Sequence, residues 1–114
     1  MANNRVANRT NTLFHSKMFD AQSGDLLGYT VDVSDTGIRL MADSALEPGQ
    51  VLETRLELPQ EILGRDSINM KLEVRWCRED TNPDYMAIGL EFVETSRELY
   101  AVIKSIQDVF CFGH

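Results

Sequence analysis

The sequence predicts a mainly β domain, an antiparallel barrel closed by one C-terminal helix. Segment after segment alternates apolar and polar residues with period two, as half-buried strands do. Clusters of Gly, Pro, Asn and Asp punctuate those segments where turns are required. The end of the chain then switches to helical spacing. At 114 residues the chain is expected to be one domain with a single core.

The first 12 residues, Met1 to Thr12, are polar and Asn-rich and read as a flexible arm, with residues 13–114 as the folded domain. Arg5 and Arg9 stand four residues apart in this arm. Extended, their Cα atoms would be about 13 Å apart; in a helical turn, about 6 Å. In both cases two guanidinium forks can converge on one dianionic ligand, with the bidentate geometry that Arg offers phosphate. A solubilising tail with scattered charges is the other reading.

Leu13 to Phe19 reads as a first strand, and Asp20 to Asp25 as a loop with a Gly24-Asp25 turn signal. His15 stands alone there, with no Ser, Cys or Asp constellation pointing to it. The stretch Leu26 to Leu40 comes next and opens with a strand. Alternation places Tyr29, Val31 and Val33 on one face and Thr30, Asp32 and Ser34 on the other. Ser34-Asp35-Thr36-Gly37 should turn, with Gly37 accepting positive φ, before Ile38 and Leu40 resume the alternation. A carboxylate and a hydroxyl thus lie beside a glycine on a polar sheet face, a surface suited to a small ligand rich in hydrogen-bonding groups.

Glu47-Pro48-Gly49 marks a turn into Val51–Leu58, a half-buried strand that Pro59 is expected to end, with a loop over 60–67. Ile68 to Glu79 is the longest alternation, with Ile68, Met70, Leu72, Val74 and Trp76 inward. Asp80 to Asp84 forms a hairpin loop, and Tyr85 to Val93 returns with Met86, Ile88, Leu90 and Phe92 on one face. Thr95-Ser-Arg-Glu98 reads as a capping box with Thr95 as N-cap. Leu99, Val102, Ile103, Ile106 and Phe110 form the apolar stripe of the helix, which closes the barrel or docks another protein.

Charge narrows the partners. The net charge of −7 argues against general binding to nucleic acid or an anionic membrane. Yet Arg5, Arg9 and Lys17 all precede the first acidic residue, Asp20. A basic arm on an acidic body suits a small, localised anion better than a polyanion. No apolar run approaches the length needed to span a bilayer, and no charged-then-apolar leader opens the chain, so a cytoplasmic location is expected. Cys77 and Cys111 are expected to be reduced thiols, Cys111 near a helix end, and no metal-type cluster is visible.

Arg5-x-x-x-Arg9 followed by Asp32-x-Ser34-x-x-Gly37, with Val-Arg-Trp76 and Ile88-Gly89-Leu-Glu-Phe92 near the end, resembles the PilZ domain family. Both of that family's ligand motifs, RxxxR and (D/N)xSxxG, are complete, and the likeness covers nearly the whole chain. Ile38 stands where many members carry a second Gly. The resemblance implies a six-stranded antiparallel β-barrel with a C-terminal helix that binds the bacterial second messenger cyclic di-GMP, without catalysis and without a cofactor. It implies that Arg5, Arg9, Asp32, Ser34 and Gly37 form the site, the arm ordering over the barrel when ligand arrives and so signalling to a partner protein. Arg suits phosphate or guanine, and Asp32 suits the N–H edge of guanine. Trp76 has two readings, a core residue by its register or a rim residue stacking on guanine. Arg78 could reach the same ligand. An adaptor that keeps the fold and binds protein instead of nucleotide is the alternative. An enzyme is the third option, and neither Asp32 nor Asp35 has a partnered His to support it.

Overall fold

A computed structural model of the chain describes residues 16–110, with side chains described through 108. Arg5 and Arg9, the remainder of the arm, His15 and Cys111 lie outside the described residues. The described elements are β1 (Lys17–Asp20), β2 (Leu26–Val33), β3 (Gly37–Ala42), β4 (Val51–Ile62), β5 (Arg65–Glu79), β6 (Met86–Phe92) and α1 (Arg97–Phe110). The strands close into a barrel in the order β1-β2-β3-β6-β5-β4, every neighbouring pair antiparallel. Closure through β1 and β4 leaves the sheet without a free edge.

Turn chemistry sets the hairpins. The Asp20 carboxylate accepts from the backbone N–H groups of Gln22 and Ser23, and Gly24 sits at φ 82°. The β5–β6 loop is held likewise: the Asp80 carboxylate accepts from the Asn82 N–H, and the Asn82 side-chain oxygen from the Asp84 N–H. Pro59 does not end β4, which runs on to Ile62; instead the pairing with β5 is irregular between Glu57 and Ile62, where proline offers no N–H to the ladder. The expected loop over 60–67 is therefore the far end of a long hairpin. Its two-residue tip is Leu63 and Gly64, both at positive φ (53° and 79°), the conformation that matches the right-handed twist of the arms.

Inside the barrel, Met18, Leu40, Leu56, Leu72, Val74 and Ile88 are among the fully buried side chains. Two buried threonines are satisfied internally, Thr30 Oγ1 donating to the Ser16 carbonyl and Thr54 Oγ1 to that of Met70. Leu99, Val102, Ile103 and Ile106 of α1 belong to the same buried cluster. Fourteen residues make a marginal helix on their own, so burial holds it: each such side chain contributes about 1.5–3 kcal/mol on leaving water. Among the described residues no helix is long and apolar enough to cross a membrane.

The N-cap is Ser96, one residue later than the sequence predicts. Its hydroxyl accepts from the Leu99 N–H at 3.1 Å, while its carbonyl accepts the first helical bond from Tyr100. Glu98, freed from a capping box, pairs with Arg65 at the start of β5. Ser96→Ala should therefore cost about 1 kcal/mol of stability, whereas Thr95→Ala should change it by less than about 0.5 kcal/mol. Urea unfolding midpoints of the two variants check this, and equal losses would contradict the assignment.

Candidate functional site

Two breaks in strand alternation build one outer face of the barrel. The first lies in β2, where the pairing with β3 shifts between Thr30 and Asp32. Thr30 and Val33 both turn inward, so the expected apolar face of Tyr29, Val31 and Val33 does not form: Tyr29 and Val31 are only half-buried. A bulge of this kind re-aims side chains. It leaves Asp32 on the outer surface with its side chain 17% exposed, and opposite it Arg39 of β3. Arg39 Nη2 lies 2.7 Å from Asp32 Oδ2, a short charge-assisted pair that fixes the carboxylate.

The next four residues are braced by Ser34. Its N–H donates to the Gly37 carbonyl at 2.9 Å, and its Oγ accepts from the backbone N–H groups of Thr36 and Gly37, both at 3.2 Å. The hydroxyl proton lies within reach of the Gly37 carbonyl at 3.3 Å and of Thr36 Oγ1 at 3.2 Å. Ser34 thus shapes the turn with its lone pairs, and its one proton goes to the Gly37 carbonyl at 3.3 Å, a long bond that a better-placed ligand acceptor could replace. Gly37 is required for a reason other than the expected one. Its φ is not positive; a Cβ there would overlap the Leu90 carbonyl oxygen, because β6 passes directly against it.

The second break lies in β5, where the register with β6 shifts between Val74 and Trp76. Val74 is fully buried, and after the shift Cys77, not Trp76, packs against the core. The core placement that alternation gives Trp76 is therefore corrected: the indole is half-buried on the outer surface, seated on Gly89. Any Cβ at position 89 would overlap indole Nε1 and Cε2. The Arg78 guanidinium stands 4.5 Å from the ring centroid, a cation–π contact that also steadies the ring.

Asp32, Ser34, Gly37 and Trp76 line one open depression of about 260 Å³, together with Thr36, Arg39, Arg75, Gly89 and Glu91. Arg39, Arg75, Gly89 and Glu91 were not among the residues expected from sequence. A glycine within a strand does signal close approach of another group, so Gly89 was open to recognition. Arg39 and Asp32 needed the β2–β3 register, and Arg75 and Trp76, being adjacent in sequence, share a rim only because of the bulge. Arg75 is itself paired: its Nη1 is 3.4 Å from Glu91 and 3.6 Å from Glu73. The described lining is thus balanced in charge, two guanidiniums against Asp32 and Glu91. No group of three or more His, Cys, Asp or Glu suited to a metal ion occurs among the described residues.

The seat of Trp76 is testable, since it is the single tryptophan of the chain. Gly89→Ala must push the indole off the strand. The expected result is a red shift of its emission together with a stability loss of about 1–3 kcal/mol. Unchanged emission and an unchanged denaturation midpoint would contradict the packing.

Solved structures of similar shape include the Bacillus subtilis inhibitor of motility (MotI/DgrA), with a TM-score of 0.69 and 17% sequence identity. That similarity covers 94% of this chain and 51% of MotI/DgrA, so the chain spans about half the length of that protein. A second is the PilZ domain with c-di-GMP of YcgR from Escherichia coli, with a TM-score of 0.69 and 11% identity over 93% of this chain and 90% of the other. At these identities the likeness is one of fold. Among curated proteins no sequence match was found. The PilZ domain family model matches residues 3–107, from the arm to the last turns of α1, and with the six-stranded barrel and its C-terminal helix this shows that the chain belongs to the PilZ domain family.

Proposed function

We propose that the chain is a receptor for cyclic di-GMP that binds the dinucleotide on the β2–β3–β6–β5 face and performs no chemistry on it. The observation that carries this reading is the convergence of Asp32, Ser34, Gly37 and Trp76 on one depression. The PilZ domain of YcgR, whose structure contains c-di-GMP, supports it by analogy.

Each group has a definite task in this reading. Asp32, held by Arg39, presents acceptors to the N–H edge of a guanine. The Ser34 proton goes to a phosphate or base acceptor, and Gly37 keeps the wall flat enough for close approach. Trp76 offers an apolar aromatic surface for a purine. What the described lining lacks is surplus positive charge, because its guanidiniums are matched by carboxylates. Arg5 and Arg9 of residues 1–12 supply it, pairing with phosphate or guanine. Neither half suffices, so binding orders the arm across the face, and that change is the signal a downstream protein reads.

Calorimetric titration of the full chain with cyclic di-GMP tests the reading and gives stoichiometry at once. Arg5→Ala and Arg9→Ala should each weaken binding by about ten- to a hundredfold, the loss of a charge-assisted bond. Asp32→Ala should do the same, and Trp76 emission should respond to ligand. A flat titration of the unmodified chain, or unchanged affinity in both Arg variants, would overturn it.

A further inference from the structure

We infer that Arg75 is an additional ligand-contacting cation of this face, and that Glu91, aided by Glu73, is its resident competitor and sets the affinity. The inference rests on the reading of the face as a cyclic di-GMP site.

Arg75 is the residue at which the β5–β6 register shifts, so the bulge sets it on the rim beside Trp76. Its situation differs from that of the neighbouring guanidiniums. Arg39 is committed to Asp32 at 2.7 Å, and Arg78 is laid over the Trp76 ring. Arg75 instead is shared between two carboxylates at 3.4 and 3.6 Å, well beyond the 2.7–2.9 Å or so of a close charge-assisted bond. Its side chain is 55% exposed and that of Glu91 48% exposed. Loose, solvated pairs of this kind are cheap to break. Of the cations that line the depression, Arg75 is the one that can be redirected to a phosphate at least cost.

The two glutamates have a reason to hold it. Glu73 and Glu91 are cross-strand partners in the β5–β6 ladder, and like charges directly opposite each other repel. Arg75 bridges them in the absence of ligand. When a phosphate draws Arg75 away, Glu73 and Glu91 face each other uncompensated, and Glu91 also borders the incoming anion. Binding is therefore an exchange of one anionic partner for another, and the strength of the Arg75–Glu91 contact subtracts from the affinity.

The test is calorimetric titration of the full chain with cyclic di-GMP, comparing the unmodified protein with Glu91→Gln, Arg75→Gln and the double variant. Glu91→Gln should tighten binding by about threefold or more, and Arg75→Gln should weaken it by about tenfold. In the Arg75→Gln background Glu91→Gln should add markedly less, since the part of its effect that runs through Arg75 is gone and only its direct repulsion of the anion remains. Glu53→Gln removes the same charge from a carboxylate paired with Lys71, outside the depression, and should leave affinity unchanged. If Glu91→Gln leaves affinity unchanged or lowers it, or gains as much without Arg75 as with it, the proposal falls while the site stands. The same holds if Glu53→Gln tightens binding equally. Absence of binding by the unmodified chain removes the site and this inference together.

Discussion

The Leu90 carbonyl passes so close to Gly37, and the Trp76 indole so close to Gly89, that a methyl group at either glycine would overlap its neighbour. These two contacts tie β3, β6 and β5 into a single surface. At Gly37 the backbone of β6 is pressed against the end of the Ser34 turn, and the Phe92 N–H donating to the Thr36 carbonyl at 2.9 Å fastens the same corner. At Gly89 the missing side chain leaves the floor on which Trp76 lies. Were either position to carry a side chain, strand spacing would have to open, and the acceptor wall and the aromatic wall would no longer share one depression. Because cores and ladders are close-packed, such an opening is resisted by everything behind it.

Electrostatics then decides what that surface can hold. The Asp32–Arg39 pair fixes the carboxylate in orientation without leaving surplus charge, and Arg75 is offset by the glutamates on either side. A face balanced in this way neither attracts nor repels an anion strongly by itself. That is consistent with a division of labour in which the barrel supplies shape, acceptors and an aromatic ring, and a basic segment supplies the attraction. Nor does the net charge of −7 on the chain decide the potential at this face. At physiological ionic strength the screening length is about 8 Å, whereas the molecule measures 37 × 30 × 22 Å. Most of the acidic surface is therefore out of range of a ligand on this face, and the local balance governs.

Much of the fold was legible because burial imposes its period on the sequence. Ile68, Met70, Leu72 and Val74 alternate inward as read, and Leu99, Val102, Ile103 and Ile106 form the buried helix stripe as read. The Asp and Gly turn signals around Gly24 and Asn82 were equally plain, since they act within a few residues. The failures cluster where alternation is interrupted. A strict period of two gave Tyr29 and Val31 one apolar face with Val33 and gave Trp76 the inward one of its two readings, and the register shifts after Thr30 and Val74 break both phases. A bulge has no fixed residue signature, so one-strand reasoning carries the old phase straight through it. Gly37 was rightly singled out but for its own φ, when the cause is the neighbouring strand. Ser96 displaced Thr95 as the cap because two adjacent hydroxyl residues offer the same chemistry, and tertiary placement of the helix selects between them.

The same interruptions are what create the candidate site. Continued from the buried Thr30 and Val74, unbroken alternation would point both Asp32 and Trp76 into the core. Shifting β2 and β5 by one residue each turns the carboxylate and the indole outward beside the hydroxyl turn, and hands the interior places to Val33 and Cys77. The core loses nothing by this exchange, since apolar groups still fill it. The outer face gains an aromatic surface beside acceptors, a combination that regular strands cannot present on adjacent residues. The features least readable from local sequence are thus the ones that assemble the candidate site, because both follow from the same departure from the regular ladder.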